Sequence, residues 1–240
     1  MTWKKRHPLH LIQKDSHLPR IRLSRVRRIN TEKREVLSRG REILMRSWLI
    51  PVVLLVLVGA AGCMEEKLRE ADRPLLVTIA DLEPYDYDLD HLAHLQKFRR
   101  IRNIDGSLEI EYEFETPDTS EQVLYISATA GYDKNVREAI ASYRMNKGAV
   151  GIGSRIGGVS VREEPGFYRW GDESYFGYFV TKEGRRGGNV FVARRGNRTY
   201  LLIISGIYFD DREEWAAFIE PKLDYFARYD PQGRGAVGKQ

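Results

Sequence analysis

An almost unbroken apolar run divides the chain and limits what each part of it can fold into. Leu49 to Gly62 is 14 residues long and contains no charged side chain. A helix needs about 20 apolar residues to span a bilayer, so the run is too short for that role. Its length, and the positive charge of Arg46 just before it, are typical of the apolar core of an export signal. Cys63, the only cysteine of the chain, follows directly.

The residues around this cysteine carry a resemblance to a known class. Small residues precede it, namely Ala60, Ala61 and Gly62. The segment from Met45 to Cys63 resembles the signal of bacterial lipoproteins, although Ala60 stands where that lipobox more often has Leu. The resemblance implies that residues 45–62 are removed and that lipid, including palmitate, is attached to Cys63. Met64 after the cysteine favours the periplasmic face of the outer membrane over the inner membrane.

Residues 1–44 form a basic extension before this signal. We expect them to reflect a misassigned start site, because Met45 opens a complete signal by itself. Two alternatives stay open. The apolar run could remain as an uncleaved signal anchor with the extension in the cytoplasm, or the extension could be an arm that contacts nucleic acid or anionic lipid.

The charge of the chain is unevenly distributed. Residues 1–44 contain 13 Lys and Arg against four Asp and Glu, whereas residues 63–240 contain 25 against 30. The overall net charge of +5 therefore comes from the extension. The remaining chain is mildly acidic, which argues against nucleic acid as its partner.

Residues 63–240 divide into three parts. Residues 63–74 are charged and are predicted to be a lipidated cysteine followed by a short tether. Residues 75–229 are long enough for one domain with its own core. Residues 230–240 are rich in glycine without an apolar period, which predicts a disordered tail.

Alternation of apolar and charged residues predicts the sheet. Ser107 to Thr116 alternates strictly and is followed by turn residues and a second alternating segment, Gln122 to Thr129, which predicts a β-hairpin. Tyr175 to Ile207 predicts a three-stranded meander, whose last strand, Tyr200 to Ile204, should be central because it is apolar on both faces.

Helical patterns flank these strands. A helix is predicted from Asp133 to Gly148, with glycine ending it, and a looser one from Asp88 to Arg100. A terminal amphipathic helix should begin at Asp210 and be kinked or interrupted by Pro221.

Together these patterns predict an α+β fold, an antiparallel β-sheet with packed helices in a sandwich. From about Leu108 to Tyr229 the order of elements resembles the PsbP-like superfamily. That resemblance implies a binding or assembly role more than an enzymatic one.

Few residues suggest metal or phosphate chemistry. His91 and His94, three apart beside Asp86, Asp88 and Asp90, are weak candidates for a metal site, because two imidazoles are few for zinc. The Gly148 to Gly158 segment lacks the dinucleotide spacing and is predicted to be a loop or bent strand. The arginines near the two meander turns should lie roughly 20 Å apart, at opposite ends of one strand.

Two surfaces are candidates for binding. The alternating glutamates from Glu109 to Glu115 could bind calcium or a basic partner, although such alternation usually marks a solvated sheet face. Phe167, Tyr168 and Trp170, in a loop with proline and glycine, are candidate anchors for a protein or glycan.

No arrangement of nucleophile, base and orienting group is evident after Cys63. We therefore expect a non-catalytic binding or assembly module of the bacterial envelope, without a cofactor, held to the membrane by lipid on Cys63. The alternative is an envelope hydrolase or metal-dependent enzyme with an unrecognised site.

Overall fold

The computed structural model describes residues 63–85, 89–117, 123–156 and 159–232. The basic extension 1–44, the signal 45–62 and most of the predicted tail lie outside the described residues. The first strand of the described residues is Cys63–Glu66, which contains the cysteine that the lipobox resemblance singles out.

One antiparallel sheet of eight strands forms the centre of the described chain. Its spatial order is β1-β2-β3-β4-β8-β7-β6-β5, so β1 and β5 are the edges. The strands are β1 Cys63–Glu66, β2 Lys97–Asn103, β3 Leu108–Glu115, β4 Tyr125–Tyr132, β5 Ser160–Glu163, β6 Glu173–Val180, β7 Arg186–Arg195 and β8 Arg198–Ser205.

The predicted hairpin and meander are confirmed. β3 and β4 pair in antiparallel register from Leu108 opposite Tyr132. β6, β7 and β8 pair in order, and β8 lies between β7 and β4, which makes it central as its two apolar faces predict.

The larger core lies on the face of the sheet that carries the apolar residues of β3. It is covered by the α-helix Arg212–Arg228, called α2 below, and by the short 3₁₀ helices Glu70–Leu75 and Ile79–Tyr85. Trp215 and Phe226 of α2 are fully buried there. The side chain of Asn189 on β7 binds the loop before α2 through two hydrogen bonds to Phe209. Its Oδ1 accepts from the Phe209 amide at 2.7 Å, and its Nδ2 donates to the Phe209 carbonyl at 3.2 Å.

A smaller core lies on the opposite face. The α-helix Val136–Ile156, called α1 below, packs on β5, β7 and β8 through Tyr143 and Val150. It leaves the same face of β1 to β3 uncovered by α-helix among the described residues.

The predicted α+β sandwich is wrong. The fold is a single eight-stranded antiparallel sheet, and the described residues contain only two α-helices. The prediction missed β1, β2 and β5, and it gave helical structure to a segment that extends the sheet. Within the predicted helix from Asp88 to Arg100, residues Asp90–Leu95 form a 3₁₀ helix and the chain then enters β2.

The segment 63–74, predicted to be a tether, contributes to this sheet. Cys63–Glu66 pairs with β2 along its whole length, and Asp72 is fully buried. This part of the chain is therefore integrated into the fold as an edge strand and a 3₁₀ turn.

Glycine and proline do not end the helices where predicted. α1 continues past Gly148 to Ile156, so most of the predicted loop from Gly148 to Gly158 is helical. α2 runs continuously through Pro221, and its N-terminal cap is Asp211, one residue later than predicted. The Asp211 carboxylate accepts from the amides of Glu213 and Glu214.

Candidate functional site

Cys63 is the first residue of β1 and lies exposed at the edge of the sheet. It pairs with Asn103 at the end of β2, and its Sγ donates to Asn103 Oδ1 at 2.8 Å. A thioether on this sulfur would project from the sheet edge without displacing any core side chain.

Two arginines of β2 clamp β1 through a single carboxylate. Arg102 and Arg100 both bond to Glu66, the latter from Nε to Oε2 at 2.7 Å. These hydrogen bonds lower the pKa of Glu66 to about 2, and the bond from Arg102 has the larger effect. The carboxylate is thus charged at any physiological pH, and the ion pairs hold the edge strand in register.

Arg100 also links the two ends of the described chain. Its guanidinium is fully buried and donates to Asp72 Oδ1 at 2.9 Å and to the carbonyl of Pro231 at 3.1 Å. The hydroxyl of Tyr229 donates to the same Asp72 oxygen, and burial together with this carboxylate raises the pKa of Tyr229 to about 12. Loss of a partner would leave the buried charge of Arg100 poorly compensated, so this network favours the conformation in which all its members meet.

The three aromatic residues predicted as surface anchors pack on the core instead. Tyr168 is buried, while Phe167 stacks on Phe176 with ring centroids 4.1 Å apart. Trp170 stacks on Phe226 of α2 at 5.9 Å. Tyr168 belongs to the larger core, and Phe167 and Trp170 are half-buried against it, so replacing all three together should destabilise the fold.

The loop holds Trp170 by backbone contacts that the sequence does not reveal. The hydroxyl of Ser174 accepts from the Trp170 amide at 2.7 Å and donates to its carbonyl at 2.6 Å. Gly171 has φ +72°, and a Cβ there would lie 2.3 Å from the carbonyl oxygen of Arg194. The glycine therefore permits close packing against β7 rather than loop mobility.

The candidate metal ligands do not converge in the described part of the chain. His91 and His94 are both exposed on the 3₁₀ helix Asp90–Leu95, and Asp86 and Asp88 lie outside the described residues. Within those residues, no group of three or more His, Cys, Asp and Glu side chains is placed to share an ion.

The glutamates of β3 lie half-buried on the face opposite the larger core. Two of them meet basic residues of β2, with Arg99 Nη2 at 2.9 Å from Glu111 Oε2 and Lys97 Nζ at 3.9 Å from Glu113 Oε2. Glu111 and Glu113 are therefore paired across strands.

Glu109 in this ladder predicts a pH dependence of stability. Burial raises its pKa to about 7, and Glu111, Asp133 and Asp105 add to the effect. Since the folded pKa exceeds the unfolded one of 4.5, its contribution to stability is complete below pH 4.5 and is lost as the pH rises through about 7. As the pH is raised from 5 to 8, the unfolding free energy of the wild type, measured in urea, should therefore fall by on the order of 2 kcal/mol relative to that of Glu109→Gln.

The control for this measurement is Glu65→Gln, because Glu65 lies exposed on β1. A constant difference in unfolding free energy between Glu109→Gln and wild type across this pH range would show that Glu109 does not titrate as expected.

The meander arginines have separate partners. The Arg186 guanidinium lies 4.0 Å from the ring centroid of Tyr178, while Arg194 at the other end of β7 bonds to Asp172 and Glu173. Their placement at opposite ends of β7 confirms that they do not form one anion pocket.

A groove runs between α2 and the 3₁₀ helices that precede β2, with a volume of about 420 Å³. The Lys222 Nζ is 2.9 Å from Asp81 Oδ1 there, which gives the groove one ion pair. The rest of the groove is lined mainly by proline and aromatic side chains, including Pro74, Pro84, Tyr85, Phe218, Pro221 and Tyr225. The sequence gives no sign of this groove, because its two walls lie more than a hundred residues apart.

Comparison of the chain with protein-family models, with curated proteins and with solved structures finds no match. The PsbP-like resemblance therefore stays a prediction, as does the lipoprotein signal. Among the described residues, no helix has both the length and the apolar character that crossing a membrane requires.

Proposed function

We propose that the chain is a lipid-anchored protein of the bacterial envelope and that its sheet domain is a non-catalytic binding or assembly module. The observation that carries the anchor is the position of Cys63. The cysteine directly follows the apolar run and its small residues, which end at Gly62, and it lies exposed at the edge of the sheet. Localisation at the periplasmic face of the outer membrane follows from Met64 and belongs to the same proposal.

Mass spectrometry of protein extracted from membranes tests the anchor. The expected mature chain begins at Cys63 and carries a diacylglyceryl thioether, with palmitate among its acyl chains. A peptide that runs intact through Trp48 and Leu49, or a free thiol at Cys63, would contradict processing at this site.

For the binding role, the groove between α2 and the 3₁₀ helices is the surface that we assign. It is concave and largely apolar, its described residues include the Lys222–Asp81 ion pair, and we propose that it receives an extended segment of another envelope protein. Such grooves give affinity through buried aromatic contacts and orientation through a few polar groups.

Site-specific photo-cross-linking in cells tests this role. A photoreactive amino acid at Ala217, which is exposed at the groove, should give one discrete protein adduct. The matched control is the same amino acid at Ala141, which is exposed on α1 across the sheet. Identical adducts from both positions, or none from Ala217, would contradict binding in the groove.

A further inference from the structure

One end of the sheet gathers exposed apolar side chains around the proposed anchor. Of the large hydrophobic residues that are exposed in the described chain, Ile104 at 84%, Met64 at 66% and Val136 at 49% lie at this end. The strand register places them together, since Cys63 pairs with Asn103, and Leu108, just after the turn, pairs with Tyr132 shortly before α1. We call this region the anchor end.

The turn that carries Ile104 is rigid. Asn103 and Ser107 close it through a backbone hydrogen bond of 3.0 Å, and Asp105 Oδ1 accepts from the amide and the hydroxyl of Ser107. Gly106 supplies the left-handed residue that such three-residue hairpin turns require, with φ +89°. Ile104 is therefore held outward at a fixed place, with no core contact to reach.

No spacer separates this turn from the proposed lipid. The sulfur of Cys63 lies 2.8 Å from the Asn103 side chain, one residue before Ile104. Because β1 is paired from its first residue and Glu66 is clamped by two arginines, an anchored domain could not move far from the bilayer without breaking the strand pair.

The charges at the anchor end nearly cancel. The hydroxyl and amide of Ser107 lower the pKa of Asp105, and nearby Lys134 lowers it further, which places Lys134 beside the turn. Arg137 and Glu138 follow in the first turn of α1. Arg102, which donates to the Gly106 carbonyl, and Asp133, which lies near Asp105, also belong to this end. With three basic and three acidic side chains, attraction to lipid here must come from the apolar residues rather than from anionic headgroups.

We infer that the anchor end lies in the headgroup region of the membrane that holds Cys63, with the side chain of Ile104 inserted into the lipid. This inference rests on the proposed lipid anchor. It fixes the orientation of the domain, because β1 and the β2–β3 turn contact the bilayer together. The opposite end of the sheet then faces away from the bilayer.

Depth-dependent fluorescence quenching tests the orientation. The full chain with Ile104→Cys is extracted from membranes, labelled with a polarity-sensitive maleimide dye and reconstituted in phosphatidylcholine vesicles that contain acyl-chain nitroxide lipids. The matched control is Ile152→Cys. Ile152 is 60% exposed near the end of α1, which leads to β5 at the opposite end of the sheet, beside Val180.

At position 104 the dye emission should shift to shorter wavelength and be quenched by the nitroxide, equally with and without phosphatidylglycerol, while the dye at position 152 stays unquenched. Absence of quenching at position 104 in a chain whose Cys63 is acylated by mass would overturn the inference and leave the anchor intact. A second dye on Cys63 would show a free thiol there, which overturns both the anchor and the inference.

Discussion

Cys63→Ser should move the protein from the membrane fraction to the soluble fraction almost completely. The substitution removes the only sulfur to which lipid could be attached, and the described residues contain no helix suited to cross a bilayer. Insertion of Ile104 alone buries one aliphatic side chain, and one such side chain contributes only about 1.5 to 3 kcal/mol, too little for stable anchoring. Fractionation of cells followed by immunoblotting measures the shift.

The serine hydroxyl can replace the thiol as donor to Asn103, so the fold should survive and the variant should remain folded by circular dichroism. Asn103→Ala is the control, because it removes the same hydrogen bond and leaves the sulfur available for lipid. Retention of Cys63→Ser in the membrane would require an attachment other than the one proposed.

Trp215→Ala should cost about 3 to 5 kcal/mol of unfolding free energy. Trp215 is fully buried in the centre of the larger core, with ring centroids 5.0 Å from Phe176, 5.6 Å from Phe209 and 5.9 Å from Phe191. Domains are stable by about 5 to 15 kcal/mol, so this loss would bring the variant close to unfolding. Urea denaturation followed by circular dichroism measures it.

Trp215→Phe is the matched variant. It keeps an aromatic ring in the cluster and removes Nε1, which is buried without an acceptor in the described part of the chain. We expect its cost to be about 1.5 kcal/mol or less, since the lost volume is partly offset by the removal of an unpaired donor. Equal losses for the two variants would show that the aromatic cluster around Trp215 is not what stabilises the core.

The sequence predicts the parts of the sheet in which side-chain burial follows a simple period. β3 alternates apolar and acidic residues without exception, and the structure buries its apolar set. β2 was missed because one core-facing position is occupied by Arg100, whose burial depends on Asp72 and Tyr229, and Tyr229 lies 129 residues away. A period cannot reveal a buried cation whose partners come from distant segments.

The packing of the aromatic loop on the core could not be predicted for a related reason. Its proline and glycines indicate a turn, and a turn is usually exposed. Trp170 is half-buried because it packs on Phe226 of α2 and because Gly171 allows a close approach to β7, and both are tertiary effects. The groove beside α2 is likewise formed only when the first 3₁₀ helices meet the last helix. The proposed anchor differs, because its signal is a contiguous stretch of sequence.

The geometry of β1 also sets how the domain responds to mechanical load. A pull on the lipid at Cys63 that is directed away from β2, across the sheet, acts on the first residue of an edge strand, so its ladder hydrogen bonds are loaded one after another rather than all at once. Peeling residues 63–65 would release roughly 10 Å of chain. The double ion pair of Glu66 and the buried Asp72–Arg100 pair then stop the peeling before the core is reached. Under such a load, β1 can therefore extend over a short distance, and the ion pairs of Glu66 and Asp72 limit that extension.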